Sequence, residues 1–254
     1  IRLKKNFMIH IPNFTPSENF LENKNILITG AGSGIGRSVS LLAAKHNANL
    51  ILISKDIKKL YSLQDEIISS GKNEPLIVEF DFLKAKEKDY KILAESLYSD
   101  YEQLHGLLHI AGILGYLSPL INTSLAQLRT VMQVNFESNF LLTQMALPLL
   151  LNTKNASVIF TSSGVGRKAR AFWTSYSISK FAVEGLMQSL ADEYEKELRI
   201  NSYNPGPTRT KMRAQAFPAE DPNTLRTSDE IAKDYMWLLS DECKITGEMF
   251  NFHE

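Results

Sequence analysis

Tyr176 and Lys180 stand four residues apart in the run SYSISKFAVEG, a spacing that puts both side chains on one face of a helix, about one turn apart. A free tyrosine, with a pKa of about 10, is a poor proton donor and acceptor at neutral pH. A nearby cation favours the phenolate and typically moves such a pKa by about 1 to 3 units, towards the range useful in general acid–base work. Upstream, SVIFTSS carries Ser162 and Ser163, hydroxyls able to position a substrate oxygen. Adjacent residues of a strand face opposite ways, so one of the two must point away.

A second chemical feature is TGAGSGIG. Its glycines at 30, 32, 34 and 36 lie between an apolar run and a helix, where missing side chains let backbone N–H groups approach a pyrophosphate. The candidate contacts are Gly30, Ser33, Gly34, Ile35, Gly36 and Arg37. The spacing is TGxxxGIG rather than GxGxxG, and a plain flexible turn is the competing reading of such a loop taken alone. At the end of the next apolar run, ANLILIS, NAD-binding folds place an acidic residue for the ribose hydroxyls. Here Ser54 occupies that position and Lys55 follows. Lys55, with Arg37, could pair with a 2′-phosphate that a carboxylate would repel, so NADP(H) is favoured over NAD(H). Asp56 keeps NAD(H) open, because a one-residue shift of the strand end would offer its carboxylate to a ribose.

The elements that must position these residues are legible as an alternation. Apolar runs KNILITG, ANLILIS, PLIVEFD, HGLLHIAG, SVIFTSS and RINSYNPG read as buried strands, with GEMFNF as a possible seventh. Between them lie helical segments: Arg37 to Asn47, IKKLYSLQDEIISSG closed by Gly71, KILAESLYSDY, about Leu125 to Leu150, and about Ser175 to Leu198. The pattern predicts an α/β fold: a doubly wound Rossmann-type parallel sheet of about seven strands, with helices on both faces, in a single domain. In such sheets ligands bind beyond the carboxyl ends of the strands, and the unusual residues follow the apolar runs.

The chain has 254 residues with 28 basic and 28 acidic side chains, so no global field draws in nucleic acid or an anionic membrane. Cys243 is the only cysteine and the five histidines are scattered, so neither a disulfide nor a metal site is expected. No apolar stretch approaches the roughly 20 residues of a membrane helix, and IRLKKNF is not followed by a signal-like core. The expectation is a cytoplasmic protein with an N-terminal arm over residues 1–22 and one domain over 23–254. Residues 1–7 precede Met8 and read as upstream or added sequence.

Ser163 thirteen residues before Tyr176, YxxxK, TGxxxGIG, Asn135 in VNF and NPG at 204–206 together resemble the short-chain dehydrogenase/reductase family, over about Lys24 to Phe252. FTSSGVGR, SKFAVEGLMQSLADEY and NPGPTRTKMRAQAFP further resemble a bacterial subgroup of oxidoreductases, the YciK type. The resemblance implies Tyr176 as acid–base group, Lys180 as its pKa-lowering partner and ribose ligand, and Ser163 as hydrogen-bond donor to the substrate oxygen. It implies that Asn135 holds a water linking Lys180 to solvent and that Asp81 meets the adenine. Pro205, Gly206, Thr208 and Thr210 would border the nicotinamide. Read without the family, Asn135 is an ordinary buried amide, and Thr208 and Thr210 cap a helix.

One departure stands out: the family has Asn-Ala-Gly where this chain has Ile110, Ala111 and Gly112. Ile110 lacks the amide, which predicts a looser loop or weaker cofactor affinity, while the backbone of Ala111 and Gly112 can still approach the ribose. The implied reaction is hydride transfer between a nicotinamide and a carbonyl or secondary alcohol. Arg167, Lys168 and Arg170 precede Tyr176, and Arg209, Lys211 and Arg213 lie in the expected substrate loop. These are either solvated surface or a mouth favouring an anionic substrate. Phe172, Trp173 and Phe217 line an apolar pocket, or belong to the core or a subunit contact. The family habit implies a homodimer or homotetramer. A rival reading, encouraged by Ile110, is a non-catalytic NADP(H)-binding sensor; the intact Ser163, Tyr176 and Lys180 argue against it.

Overall fold

The structure, a computed structural model, describes residues 9–252, so residues 1–7 lie outside the described part. Among the described residues, eight parallel strands form one sheet: β1 (Ile9–His10), β2 (Asn25–Thr29), β3 (Asn49–Ser54), β4 (Leu76–Glu79), β5 (Gly106–His109), β6 (Ala156–Thr161), β7 (Leu198–Asn204) and β8 (Met249–Asn251). The order is β1-β8-β7-β6-β5-β2-β3-β4. GEMFNF does supply a strand, and β1, from the N-terminal arm, adds a short eighth by pairing Ile9 with Phe250. The order reverses between β2 and β5, so a crevice opens there at the carboxyl ends.

The strands are nearly all buried because both faces are covered. On one face α1 (Gly34–Lys45), α2 (Ile57–Ser69) and α8 (Ser228–Leu239) pack Val39, Leu63 and Tyr235 against the sheet. On the other, α3 (Glu87–Asp100), α5 (Ser138–Leu151) and α6 (Thr174–Glu193) contribute Tyr90, Leu142 and Met187. Gly71, at a φ of 74°, follows the end of α2 as expected.

Two helices differ from the sequence reading. The expected helix from Leu125 is α4 (Leu125–Met132), a wider π turn over Gln133–Glu137, and then α5. The π turn carries Asn135. The expected helix to Leu198 stops at Glu193, because Leu198 is taken up by β7, where it pairs with Ala156.

Candidate active site

Beyond the carboxyl ends of β2, β5, β6 and β7 lies a cleft of about 840 Å³. Gly30, Ser33, Gly34, Ile35, Gly36, Ala111, Gly112, Ser163, Tyr176, Lys180, Pro205, Gly206, Thr208 and Thr210 all line it. The glycine loop is a tight cradle. Gly30 has a φ of 70°, and a Cβ there would lie 2.9 Å from the Ala111 backbone; a Cβ on Gly36 would lie 2.3 Å from the Gly30 carbonyl oxygen. The turn therefore accepts no side chain at Gly30 or Gly36, where its backbone closes on itself at the start of α1, and it fits a dinucleotide phosphate there.

The residues expected at the adenosine end stand apart from this lining. Arg37 is turned along the helices, its guanidinium 2.5 Å from Glu66 on α2. Asp56 is the N-cap of α2, accepting from Lys59 N and pairing with Lys59 Nζ at 2.9 Å. Ser54 abuts the loop, its Oγ 2.9 Å from where a Gly32 Cβ would stand, and Lys55 after it is exposed. Asp81 accepts from the Leu83 amide at 3.0 Å in the turn after β4.

Tyr176 and Lys180 are both buried, at 8% and 4% exposure. Lys180 Nζ donates to the Thr161 carbonyl at 2.7 Å and lies over the Tyr176 ring, 5.7 Å from its centre. The implied lowering of the Tyr176 pKa by Lys180 is outweighed by burial. Burial pushes the phenol up to about 12, and the Ser163 hydroxyl draws it back in part. Burial likewise pulls Lys180 down to about 8, opposed by Glu184. Both serines border the cleft: Ser163 is half-buried on its wall, while Ser162 is buried and donates its hydroxyl to Glu184 at 2.5 Å.

Asn135 lies behind Gly112. Its Oδ1 accepts from Ile113 N at 2.8 Å, and its Nδ2 donates to Ile113 O at 2.9 Å and Ser179 Oγ at 3.0 Å. Both amide hydrogens are thus spent on clamping the loop after β5 to α6, leaving one lone pair of Oδ1 for a water. The replacement at Ile110 does not leave that loop loose. Thr29, which the sequence reading passed over although it begins TGxxxGIG, accepts from the amides of Ile110 and Ala111 at 3.0 and 3.1 Å and donates to Leu108 O at 3.3 Å. Ile110 itself packs into the core.

Thr210 caps α7 (Lys211–Ala216), accepting from Arg213 N, and its methyl lies 3.5 Å from where a Cβ on Gly34 would stand, so it caps that helix and lines the cleft at once. Thr208 donates to the Gly206 carbonyl at 3.2 Å. Trp173 lines the cleft, 5.9 Å from the Tyr176 ring and 5.7 Å from Phe217, whereas Phe172 is exposed. Ile113, Leu114, Tyr116, Met212 and Gln215 join this wall and carry no sequence signal by themselves.

Two of the cations for which a mouth position is one of two readings are engaged by carboxylates. Arg167 is not on the cleft wall; it pairs with buried Glu184 at 3.3 Å and reaches Asn251 and Phe250 O in β8. Arg213 lines the cleft, but it binds both carboxylate oxygens of Glu220 and covers Phe217 at 3.8 Å. Lys168 and Arg170 are exposed outside the lining, with Arg170 also over Phe217. Arg209, which donates to Pro222 O, and Lys211 line the cleft.

Residues 24–221 match the family model for short chain dehydrogenases. The chain belongs to the short-chain dehydrogenase family. It is 42% identical over 240 residues to the uncharacterized oxidoreductase YciK of Escherichia coli K12, covering 94% of this chain and 95% of YciK. Among solved structures it is similar to a short chain dehydrogenase of Escherichia coli CFT073 complexed with NADPH, with a TM-score of 0.91, 43% identity and coverage of 93% of this chain and 99% of the other. One from Shigella flexneri 2a complexed with NADP gives 0.91, 42%, 92% and 99%. This short-chain dehydrogenase is therefore an oxidoreductase by family. No group of three or more metal-ligating side chains lies together among its described residues, and none of its described helices is long and apolar enough to cross a membrane.

Proposed function

We propose that this dehydrogenase interconverts a carbonyl and a secondary alcohol with NADP(H), Tyr176 acting as general acid and base. The observation that carries the reading is the convergence of Ser163, Tyr176 and Lys180 on one cleft with the glycine cradle. Complexes of similar dehydrogenases with NADPH and NADP support the cofactor. Gly30 to Gly36 and Ala111 to Gly112 would hold its phosphates and ribose, Lys55 its 2′-phosphate, Asp81 its adenine, and Pro205 to Thr210 its nicotinamide end. The bound dinucleotide supplies or accepts the hydride.

The chain's own residues do the rest. With its pKa near 12, Tyr176 is protonated at neutral pH and suits the reductive direction, in which it gives its proton to the substrate oxygen. Ser163, whose hydroxyl lies within hydrogen-bonding reach of Tyr176, donates to the same oxygen and steadies its developing charge. Lys180, cationic below about pH 8, favours the phenolate left behind. Asn135 orders the loop that faces Lys180 and keeps one acceptor site for the water of a proton relay.

The substrate is a small molecule with an apolar body against Trp173, Leu114 and Met212. Arg209 and Lys211 are the cations left for an anionic substrate. Exposed Phe140, Ile178 and Phe181 on α5 and α6 support a homodimer or homotetramer. The test is oxidation of NADPH and NADH by the wild type against paired neutral and anionic carbonyls. NADPH-dependent turnover is expected, and absence of turnover across the series with NADPH bound would overturn the reading.

A further inference from the structure

Glu184 sits one helical turn beyond Lys180 on α6, is 4% exposed, and has no part in the reaction as described above. A buried carboxylate is costly unless paired and hydrogen-bonded. This one accepts from Ser162 Oγ at 2.5 Å and Arg167 Nε at 3.3 Å on one oxygen, and from Ser202 Oγ at 2.6 Å on the other. Arg167 extends the network by donating to Asn251 Oδ1 at 2.6 Å, an oxygen that also accepts from Asn204 Nδ2 at 3.0 Å. Asn204 Oδ1 in turn accepts from the Gly206 amide at 3.1 Å. One carboxylate thus ties together the helix of Tyr176 and Lys180, the strand end bearing Ser163, and the turn through Pro205 and Gly206.

We propose that Glu184 is a positioning residue for the reaction: held by Ser162, Ser202 and Arg167, its carboxylate registers Ser163 and Lys180 about Tyr176 and keeps negative charge behind the Lys180 ammonium. The proposal rests on the reading of Ser163, Tyr176 and Lys180 as reacting residues. The titratable groups that face this pair are Tyr176 on the same helix, His109 at the end of β5, Tyr235 on α8 and Arg167 after β6. Burial, with Lys180 nearby, holds His109 down at about 3, and burial raises Tyr235, so both are neutral across the working range. Glu184 is the neighbour that favours the charged form of Lys180.

The experiment is the pH dependence of NADPH-driven carbonyl reduction in Glu184→Gln, which keeps size and one accepting oxygen and loses the charge. The alkaline limb is expected to move to lower pH by about half a unit or more, with kcat down about tenfold and the substrate KM little changed. Glu184→Asp is expected to recover the limb. A Gln variant whose limb and kcat superimpose on the wild type overturns the proposal alone. Should that variant not fold, Ser162→Ala removes one bond to the carboxylate and leaves its charge. Its kcat is expected to fall about threefold with the limb unmoved, and a wild-type kcat overturns the proposal. A wild type that binds NADPH and turns over no carbonyl takes down the parent reading as well.

Discussion

The Lys180 ammonium donates to the main-chain carbonyl of Thr161 at 2.7 Å and meets Tyr176 through its ring, 5.7 Å from the centre. A lysine so buried loses its proton more readily than one in water, near pH 8. It is charged below that value and neutral above it. In the reductive direction kcat/KM is therefore expected to fall as pH rises through about 8, while Tyr176 stays protonated to about 12. A pH profile of wild type and Lys180→Met checks this: the limb near 8 should vanish in the variant, and an unchanged limb would assign it elsewhere.

Ser163 and Ser162 follow β6 side by side and differ in role because the Ser162 hydroxyl is spent on Glu184. Ser163→Ala is expected to lower kcat by about 10² with NADPH affinity retained, the usual effect of losing one donor to a developing oxyanion. Steady-state kinetics with a fluorescence titration of NADPH separates the two quantities. A wild-type kcat would remove Ser163 from the mechanism.

Coenzyme preference is expected to depend on Lys55 and not on Arg37, which is engaged by Glu66. Lys55→Ala should reduce the ratio of kcat/KM for NADPH over NADH by about tenfold, the loss of one charge-assisted pair. Arg37→Ala should leave the ratio within about twofold of wild type. A shift in the second variant and none in the first would reverse the assignment.

Gly30→Ala puts a methyl against the Ala111 backbone at a φ of 70°, so the loop must open. NADPH affinity is expected to weaken at least about tenfold, read by titration, with far-UV circular dichroism preserved.

His109 is stacked on Phe160 at 4.7 Å, bonds Thr143 through Nε2 at 2.8 Å, and is held at about 3 by burial. Its folded pKa lies below the unfolded value, so its contribution to stability is present above pH 6.5 and is lost as pH falls towards 3. Urea unfolding between pH 4 and 7 should show a slope that His109→Asn reduces by up to about 1.4 kcal/mol per pH unit. An equal slope in both proteins would place the acid sensitivity elsewhere.

The sheet is legible in runs such as KNILITG and ANLILIS because strands covered on both faces are continuously apolar. Ile9–His10 is not, since two residues carry no period and their partner is at the far end of the chain. The Ser163, Tyr176 and Lys180 set is legible because one helix and one strand end fix its spacing. Whether Arg167 and Arg213 are solvated surface or mouth cations stays open in the sequence because it shows charge alone, while Glu184 and Glu220, which pair with them, are recognisable as partners only once the chain is folded. The Tyr176 pKa goes the same way: proximity to Lys180 is readable from spacing, but burial, which outweighs it, belongs to the packed fold. The π turn that offers Asn135 is hidden too, because one widened turn barely disturbs the helical period.

Tyr176→Phe removes one oxygen from a side chain that would otherwise pack unchanged beside Trp173. Its rate of NADPH oxidation by a carbonyl that the wild type reduces is the most direct measurement of the proton-transfer claim. The expected result is a loss of at least about 10² in kcat with NADPH affinity unchanged. Turnover equal to wild type would contradict it.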